Sequence, residues 1–261
     1  MKITLTFYPS ELKRLKSASG GLRVVVIDVL RASSTITHAF SQGCKAVYPF
    51  ASIRDCLIKA RELGRDRVIL GGERNGLKIK GFRLGNSPQE YSRDVVEDKF
   101  ILITTTNCTK NVQTVIRLMT AKEILVCSFL NLPAVAEYLA TRNDRLHIAL
   151  SGEEGEASLE DVVCGGMLIH RLLEKTDLIE AVLSDPARLA YIAYLHYKDN
   201  LRQALLDSTH SQLLIKLGME KDIDFCAQVG IHNFIPFYLK GTIRLKEPVK
   251  GLYYWVASRR R

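Results

Sequence analysis

Residues 24–35 of the chain read VVVIDVLRASST, and this segment decides the fold. Its unbroken run of valine and isoleucine predicts a strand buried on both faces, as in an α/β sheet. Asp28 lies at the carboxyl end of that strand, and Arg31 follows within the next turn. Ligands of open α/β sheets bind at the carboxyl ends of the strands. The segment therefore predicts both a fold class and one side of a ligand site.

The hydroxyl residues of the same segment introduce a predicted helix over about residues 35–41. Ser33, Ser34 or Thr35 can cap that helix, and the free N–H groups of a helix N-terminus bind anions. A purely structural alternative remains open at this point. In that alternative Asp28 pairs with Arg31 and the hydroxyls only cap the helix.

Apolar strands and amphipathic helices alternate outward from this segment up to about residue 175, which is typical of an α/β fold with a mostly parallel sheet. A helix-rich C-terminal third follows, with one long helix predicted over 201–218. We interpret 1–261 as a single domain with a change of character near 176–184. Further strands are predicted at residues 2–8, 46–50, 68–70, 100–103, 124–127, 146–150, 234–238, 242–245 and 252–256.

Composition narrows the class of protein. The net charge of +9 suits a small anionic substrate or nucleic acid, but no basic run is interleaved with aromatic residues, which disfavours nucleic acid. The cysteines are widely spaced and include no C-x-x-C, so reduced thiols are expected in place of disulfides or a zinc site. No apolar stretch is long enough for a signal peptide or a membrane span. We therefore expect a cytoplasmic protein without a membrane partner, and a homodimer is left open.

Polar residues also follow two other predicted strands. Residues 70–74 read LGGER, which places Glu73 and Arg74 at a strand end beside glycines that permit close backbone approach. Hydroxyl and amide side chains at the start of a helix make a cradle for phosphate or carboxylate. The residues of this kind after the strand at 100–103 are Thr105, Thr106 and Asn107.

A thiolate nucleophile at Cys108 is disfavoured, because no arginine follows nearby to close a phosphocysteine loop and nothing indicates a lowered pKa.

An acidic cluster follows the strand at 146–150. Glu160 and Asp161 lie in the first turn of a predicted helix, where the helix dipole alone favours carboxylates. However, several acidic residues fall between Glu153 and Asp161, just past a strand end, and carboxylate oxygens are the ligands of hard cations. The cluster therefore predicts a metal site, with the dipole as the structural alternative.

Seven motifs occur in one order along the chain. They are DVLRAS at 28–33, LGGER at 70–74, GFRLGNSP at 81–88, TTNCT at 105–109, Asn131, SLED at 158–161 and DIDFCA at 222–227. In this order, over about residues 1–245, the chain resembles the 2-phosphosulfolactate phosphatase family. The resemblance implies a three-layer α/β/α fold and a Mg²⁺-dependent phosphomonoesterase. Its substrate would be 2-phospho-3-sulfolactate, hydrolysed to sulfolactate and phosphate on the coenzyme M route.

Roles can be assigned to residues on this basis. Asp28 is expected to contact Mg²⁺ or to attack phosphorus, with Glu160 and Asp161 as further metal ligands. Arg31 and Arg74 would hold phosphate, carboxylate or sulfonate. The remaining catalytic residue is Glu73, and the further substrate contacts are Ser33, Ser34, Asn86, Ser87, Thr105, Thr106, Asn107, Asn131 and His210.

Two departures from the family pattern keep alternatives open. Cys108 and Ser211 each stand where the family normally has glycine. Apart from these two departures, residues 247–261 extend past the usual family end. One alternative is a phosphatase for another 2-phospho-hydroxyacid. The other is a non-catalytic, anion-binding member of the same family.

Overall fold

The computed structural model describes residues 1–14, 21–118, 121–142, 145–175 and 182–246. These residues form a mixed, mostly parallel sheet with helices packed around it, which confirms the predicted three-layer α/β/α class. The strands are β1 Lys2–Thr6, β2 Leu22–Ile27, β3 Ala46–Pro49, β4 Val68–Arg74, β5 Leu77–Lys78, β6 Phe100–Thr104, β7 Ala121–Cys127, β8 Arg145–Leu150, β9 Val182–Leu183, β10 Pro236–Leu239 and β11 Thr242–Leu245. The α-helices are α1 Ala32–Ser41, α2 Ile53–Leu63, α3 Arg93–Val96, α4 Cys108–Leu118, α5 Leu132–Ala140, α6 Leu159–Lys175, α7 Asp185–Tyr197, α8 Leu201–Leu206, α9 Thr209–Lys216 and α10 Glu220–Cys226.

The β10–β11 hairpin joins two halves of the sheet, each parallel within itself and antiparallel to the other. The strand order is β5-β4-β6-β3-β11-β10-β7-β2-β8-β1-β9. The neighbours β4, β6 and β3 are parallel, and so are the neighbours from β7 to β9. The hairpin lies between these halves, antiparallel to β7 on one side and to β3 on the other. The sequence predicts both hairpin strands but not their place in the middle of the sheet.

The opening segment forms the predicted buried strand. β2 lies between β7 and β8, and all six of its residues are buried. One face of β2 presents Val25 and Ile27 to a core cluster that includes residues of α5 and α6. The other face presents Val24 and Val26 to a second cluster that includes residues of α1 and α4. This two-sided burial is the physical reason for the continuous apolar run.

Strands that are distant in the sheet contribute to the second cluster. The strands β3, β11, β10 and β7 separate β6 from β2 in the sheet, yet Ile101 of β6 and Val26 of β2 belong to the same buried cluster. Strand twist accumulates across a sheet and changes the direction of distant strands relative to one another. Residues at the ends of β2, β4 and β6, or just after them, likewise line one cavity.

The start of α1 differs from the prediction. The helix begins at Ala32, so Ser33, Ser34 and Thr35 lie inside it and none of them caps it. The carboxylate of Asp28 accepts a hydrogen bond from the N–H of Ala32 at 3.0 Å. A carboxylate at the strand end therefore takes the place of the predicted hydroxyl cap.

The C-terminal third also differs in detail. The helix predicted over 201–218 is two helices, because the hydroxyl of Ser208 accepts a hydrogen bond from the N–H of Ser211 and starts α9 there. The sequence pattern does not predict α3, α10, β5 or β9. The predicted strand at 252–256 lies outside the described residues, as does most of the predicted change of character near 176–184. The six cysteines are buried free thiols, and no helix in the described ranges is long and apolar enough to cross a membrane.

Candidate active site

Asp28 lies at the carboxyl end of β2 and is almost fully buried. Its Oδ1 accepts the hydrogen bond from Ala32, whereas its Oδ2 accepts none from any described residue. Burial raises the pKa of Asp28 to about 7, and the carboxylates of Glu153 and Glu73 act in the same direction. The N–H of Ala32 and the imidazole of His210 act against them. Asp28 therefore presents one free oxygen in a crowded, acidic environment.

Arg31 does not pair with Asp28, so the structural alternative for this turn is wrong. Its guanidinium donates to Asp222 Oδ2 and to the carbonyl of Gly76, each at 2.7 Å. Asp222 also accepts a hydrogen bond from Ser87 Oγ at 2.5 Å. The Nε of Arg31 is buried and has no partner in the described part of the chain. One N–H of a fixed guanidinium is therefore free for a ligand.

Seven of the predicted site residues line one cavity. Leu30 is the one apolar member of this lining. The seven predicted residues are Asp28, Arg31, Glu73, Asn86, Thr105, Asn107 and His210. They come from the ends of β2, β4 and β6, from the loop after β5 and from α9, so the folded chain brings together segments far apart in sequence. Asn86 adds a buried Oδ1 without a partner in the described residues.

His210 is held in the cavity wall by a carboxylate. Its Nδ1 lies 3.1 Å from Glu153 Oε2, and Asn107 Nδ2 donates to the same oxygen at 2.7 Å. Burial alone would lower the pKa of His210. The hydrogen bond to Glu153 and the charges of Glu160, Glu153 and Asp28 outweigh that effect and raise it. Because Nδ1 is engaged, Nε2 is the ring nitrogen available to a ligand.

The two predicted metal ligands of the acidic cluster have different surroundings. Asp161 Oδ1 accepts from the N–H of Val29 at 2.7 Å, and Asp161 Oδ2 accepts from the N–H groups of Ser151 and Gly152, each at 3.3 Å. Asp161 thus ties the ends of β2 and β8 together, and both of its carboxylate oxygens are engaged by backbone N–H groups. Glu160 Oε2, in contrast, is buried and has no hydrogen-bond partner among the described residues.

The carboxylate oxygens suit a hard cation. Across the described ranges, no three His, Cys, Asp or Glu side chains form a group that could hold a metal by themselves. Mg²⁺ does not require such a group, because it keeps several waters and binds through one or two carboxylates plus substrate phosphate. Asp28 Oδ2 and Glu160 Oε2 are two unengaged oxygens of the required kind. The donor chemistry therefore fits Mg²⁺.

Three predicted substrate contacts are instead used within the fold. Ser33, Ser34 and Asn131 each donate to the carbonyl oxygen five residues earlier, at 2.6, 2.8 and 3.1 Å. All three are fully buried. Their polar groups stabilise the turns after β2 and β7 and do not line the cavity.

Other predicted contacts hold neighbouring loops in place. Arg74 NH2 donates to Thr104 Oγ1 at 2.9 Å. Arg74 is therefore not part of the cavity lining, although the sequence predicts it as a substrate contact. The N–H and hydroxyl of Thr106 donate to Glu73 at 2.7 and 3.2 Å. The hydroxyl of Ser87 is used by Asp222. Glu73 therefore joins the loops after β4 and β6 while it lines the cavity.

Cys108 packs in the core and does not line the cavity. Its side chain is fully buried in the cluster that also contains Val24 and Val26. Burial raises the pKa of its thiol well above the ordinary value, and the charges of Asp28 and Asp161 act in the same direction. A protonated, buried thiol is a poor nucleophile, so the geometry supports a packing role.

Two residues of the site were not among the predicted site residues. Glu153 holds His210, and Asp222 holds Arg31. The acidic cluster after β8 contains Glu153, and the DIDFCA segment begins with Asp222. Both signals were present in the sequence, but only the folded chain shows which basic residue each carboxylate meets.

Comparisons with known proteins agree with this architecture. A family model described as 2-phosphosulpholactate phosphatase matches residues 7–241. A protein of Clostridium acetobutylicum named probable 2-phosphosulfolactate phosphatase is 38% identical over 243 residues, which cover 93% of this chain and 100% of that protein. A protein of Thermotoga petrophila with the same name is 42% identical over 224 residues, which cover 85% of this chain and 92% of that protein.

Proposed function

The chain belongs to the 2-phosphosulfolactate phosphatase family, and on that premise we propose that it is a Mg²⁺-dependent phosphomonoesterase. Its substrate would be 2-phospho-3-sulfolactate or a similar 2-phospho-hydroxyacid. One observation carries the proposal. A free carboxylate oxygen of Asp28 and a free N–H of Arg31 belong to residues that line the same cavity.

Arg31 supplies the fixed positive charge for the substrate. Guanidinium is always protonated and presents its N–H groups in a rigid plane. Asp222 and Gly76 hold two of its nitrogens, so Nε can bind an anionic group without a further loss of side-chain freedom. A 2-phospho-hydroxyacid carries at least two anionic groups, and Arg31 would bind one of them.

Asp28 and Glu160 would hold Mg²⁺, and a bound Mg²⁺ would neutralise charge on the phosphoryl oxygens. Asp161 keeps the loop of Asp28 in place, since it binds the N–H of Val29 next to it. Glu73 does the same for the Thr106 loop. These carboxylates therefore orient the cavity wall.

His210 would act as a hydrogen-bond donor to a substrate oxygen. Glu153 accepts from Nδ1 and fixes the ring, and Asn107 in turn fixes Glu153. The donor would be Nε2, because it is the free ring nitrogen. Donors already oriented before the substrate binds stabilise developing charge without reorganisation.

Buried free thiols support a reducing compartment, and we propose that the reaction takes place in the cytoplasm. We also propose, on the family resemblance, that the product enters the coenzyme M route, and this second proposal requires the phosphatase activity.

A substrate panel tests the proposal. Phosphate release is measured with 2-phospho-3-sulfolactate, 2-phospholactate and glycerol 2-phosphate, in Mg²⁺, after EDTA treatment and after Mg²⁺ is restored. We expect turnover of the first two, much weaker turnover of glycerol 2-phosphate because it lacks a second acid group, and reversible loss in EDTA. Full activity in EDTA contradicts the metal dependence. A folded protein that hydrolyses none of the three esters supports the non-catalytic alternative.

A further inference from the structure

A second cavity, with a volume of about 440 Å³, lies at the opposite end of β4 from the active site. It is bounded by α2, by the first residues of β4 and by the loop that contains Arg83. We call it the arginine groove after its three cationic lining residues, Arg61, Arg65 and Arg83. The active-site cavity shares none of its lining residues.

The three guanidinium groups of the groove are unneutralised. No described residue forms a hydrogen bond or an ion pair with the side chain of Arg61, Arg65 or Arg83. The adjacent Glu62 pairs with Lys59 at 2.9 Å instead. No carboxylate of the described residues lines the groove. Three unpaired cations around one concavity form a field that attracts anions.

The floor of the groove is apolar. Its remaining lining includes Ala60 and Leu70, and Leu57 exposes 39% of its surface at the rim. The volume falls within the range of about 300–1,000 Å³ that is usual for small-molecule sites. An apolar floor with a few convergent charged groups is the ordinary composition of such sites.

We propose that the arginine groove binds a small organic anion that has an apolar body and at least two negatively charged groups. The charged groups contact the arginines and the body covers the apolar floor. A nucleic-acid strand is disfavoured because the lining offers no aromatic side chain on which bases could stack. The inference is independent of the phosphatase activity, since it needs no residue of the active site.

The fold connects the groove to the active site by two chain segments. β4 runs from the groove floor at Val68 to Glu73 in the active-site cavity, and the adjacent loop runs from Arg83 to Asn86. The two segments are joined by the hydrogen bond from the N–H of Leu84 to the carbonyl of Leu70 at 3.1 Å. An occupant of the groove would therefore contact both segments that lead to the catalytic cavity.

Calorimetric titration with naphthalene-1,5-disulfonate tests the proposal, because this probe combines an apolar body with two charges. We expect saturable binding that is tighter than that of 2-naphthol or inorganic sulfate, each of which has only one of the two features. Arg61→Gln and Arg83→Gln should each weaken binding about tenfold or more, the range for a lost hydrogen bond to a charged group. The exposed Arg188→Gln on α7 is the matched control and should leave the affinity unchanged, as should His210→Gln in the active-site cavity.

Three outcomes would overturn the inference. The first is an affinity that the groove variants do not change although circular dichroism shows them folded. The second is a loss of binding only in His210→Gln, which would place the probe in the active-site cavity. The third is sedimentation of the protein as a dimer that Leu57→Glu dissociates, since the groove would then be an interface between copies of the chain.

Discussion

Three buried polar atoms at the site have no hydrogen-bond partner among the residues that the structure describes. They are Arg31 Nε, Asn86 Oδ1 and Glu160 Oε2. Arg31 and Asn86 line the cavity, and Glu160 lies 4.0 Å from His210, which also lines it. Native proteins leave few buried polar groups unsatisfied, because each costs about 1–3 kcal/mol. Other such atoms occur elsewhere in the described chain, for example Thr37 Oγ1 and Asn111 Oδ1, but these three belong to residues that line the cavity or lie beside one that does.

Asp222 is expected to control substrate binding through Arg31. Asp222→Asn keeps the shape of the side chain but removes the charge that holds the guanidinium at 2.7 Å. We expect KM to rise by about tenfold or more with a smaller change in kcat, because Arg31 binds substrate and does not react. Steady-state kinetics measures both constants.

The matched control is Asp224→Asn on the same helix. Asp224 also forms an arginine pair at 2.7 Å, but both partners are more than half exposed. It should change neither KM nor stability appreciably. Because a broken buried pair can also prevent folding, Ser87→Ala, which removes only the hydrogen bond to Asp222, provides a milder variant. If Asp222→Asn and Ser87→Ala both fold and both keep the KM of the unmodified protein, Asp222 does not control substrate binding through Arg31.

Cys108 is expected to be dispensable for chemistry. Cys108→Ser and Cys108→Gly should both retain kcat, because the thiol is protonated and packed in the core. Cys108→Gly should lower the Tm by several degrees, since it removes a buried side chain from a helix. Kinetics and thermal unfolding separate the two effects. Loss of all activity in both folded variants would indicate a thiolate nucleophile instead.

At the scale of elements, the local sequence pattern predicts an element correctly where one strong signal, such as a continuous apolar run, determines it. The continuous apolar run of β2 is the example, since all six residues of this strand are buried. Local pattern does not predict a helix boundary that is set by a single capping side chain. The start of α1 depends on the Asp28 carboxylate, and the break at Ser208 divides an otherwise continuous helical pattern. Each of these helix starts depends on which side chain accepts the hydrogen bond from a free N–H group of the first turn. Helical periodicity carries no information about that choice.

The pairing of β8 with β1 is expected to weaken in acid because of His147. His147 lies on β8 and bonds the hydroxyls of Thr4 and Thr6 on β1 at 2.9 and 3.1 Å. Burial lowers its pKa to about 4, below the unfolded value near 6.5. The unfolded chain therefore binds more protons between those values, and the free energy of unfolding should fall as pH decreases from about 6.5 to 4, by about 3 kcal/mol from this residue.

Urea unfolding at pH 7 and pH 4.5 measures this effect. The pH dependence should be smaller in His147→Gln than in the unmodified protein. The exposed His196→Gln should leave the pH dependence unchanged. Identical pH dependence in the His147 variant and the unmodified protein would refute the assignment.

At the scale of the whole molecule, the sheet brings the site together. β2 and β6 are separated by four strands, among them the hairpin from near the end of the described chain, yet Asp28 and Thr105 line one cavity. Polar residues at strand ends indicate most of the cavity residues, although β2 runs opposite to β4 and β6, because the pairings from β7 through the hairpin to β3 are antiparallel. The sequence could not predict which polar residues at those ends turn into the cavity. Ser33, Ser34, Arg74 and Asn131 instead satisfy backbone or loop partners, and that choice depends on tertiary contacts.

The kcat of Asp28→Asn tests the central claim most directly. It is measured with 2-phospho-3-sulfolactate at saturating substrate and Mg²⁺, with circular dichroism and Tm as checks on folding and Asp224→Asn as the matched control. The substitution is nearly isosteric and removes only the charge. We predict that kcat falls by an amount on the order of several kcal/mol in the barrier, while the control stays fully active. A well-folded Asp28→Asn with unchanged kcat would contradict the claim that this carboxylate acts in the reaction.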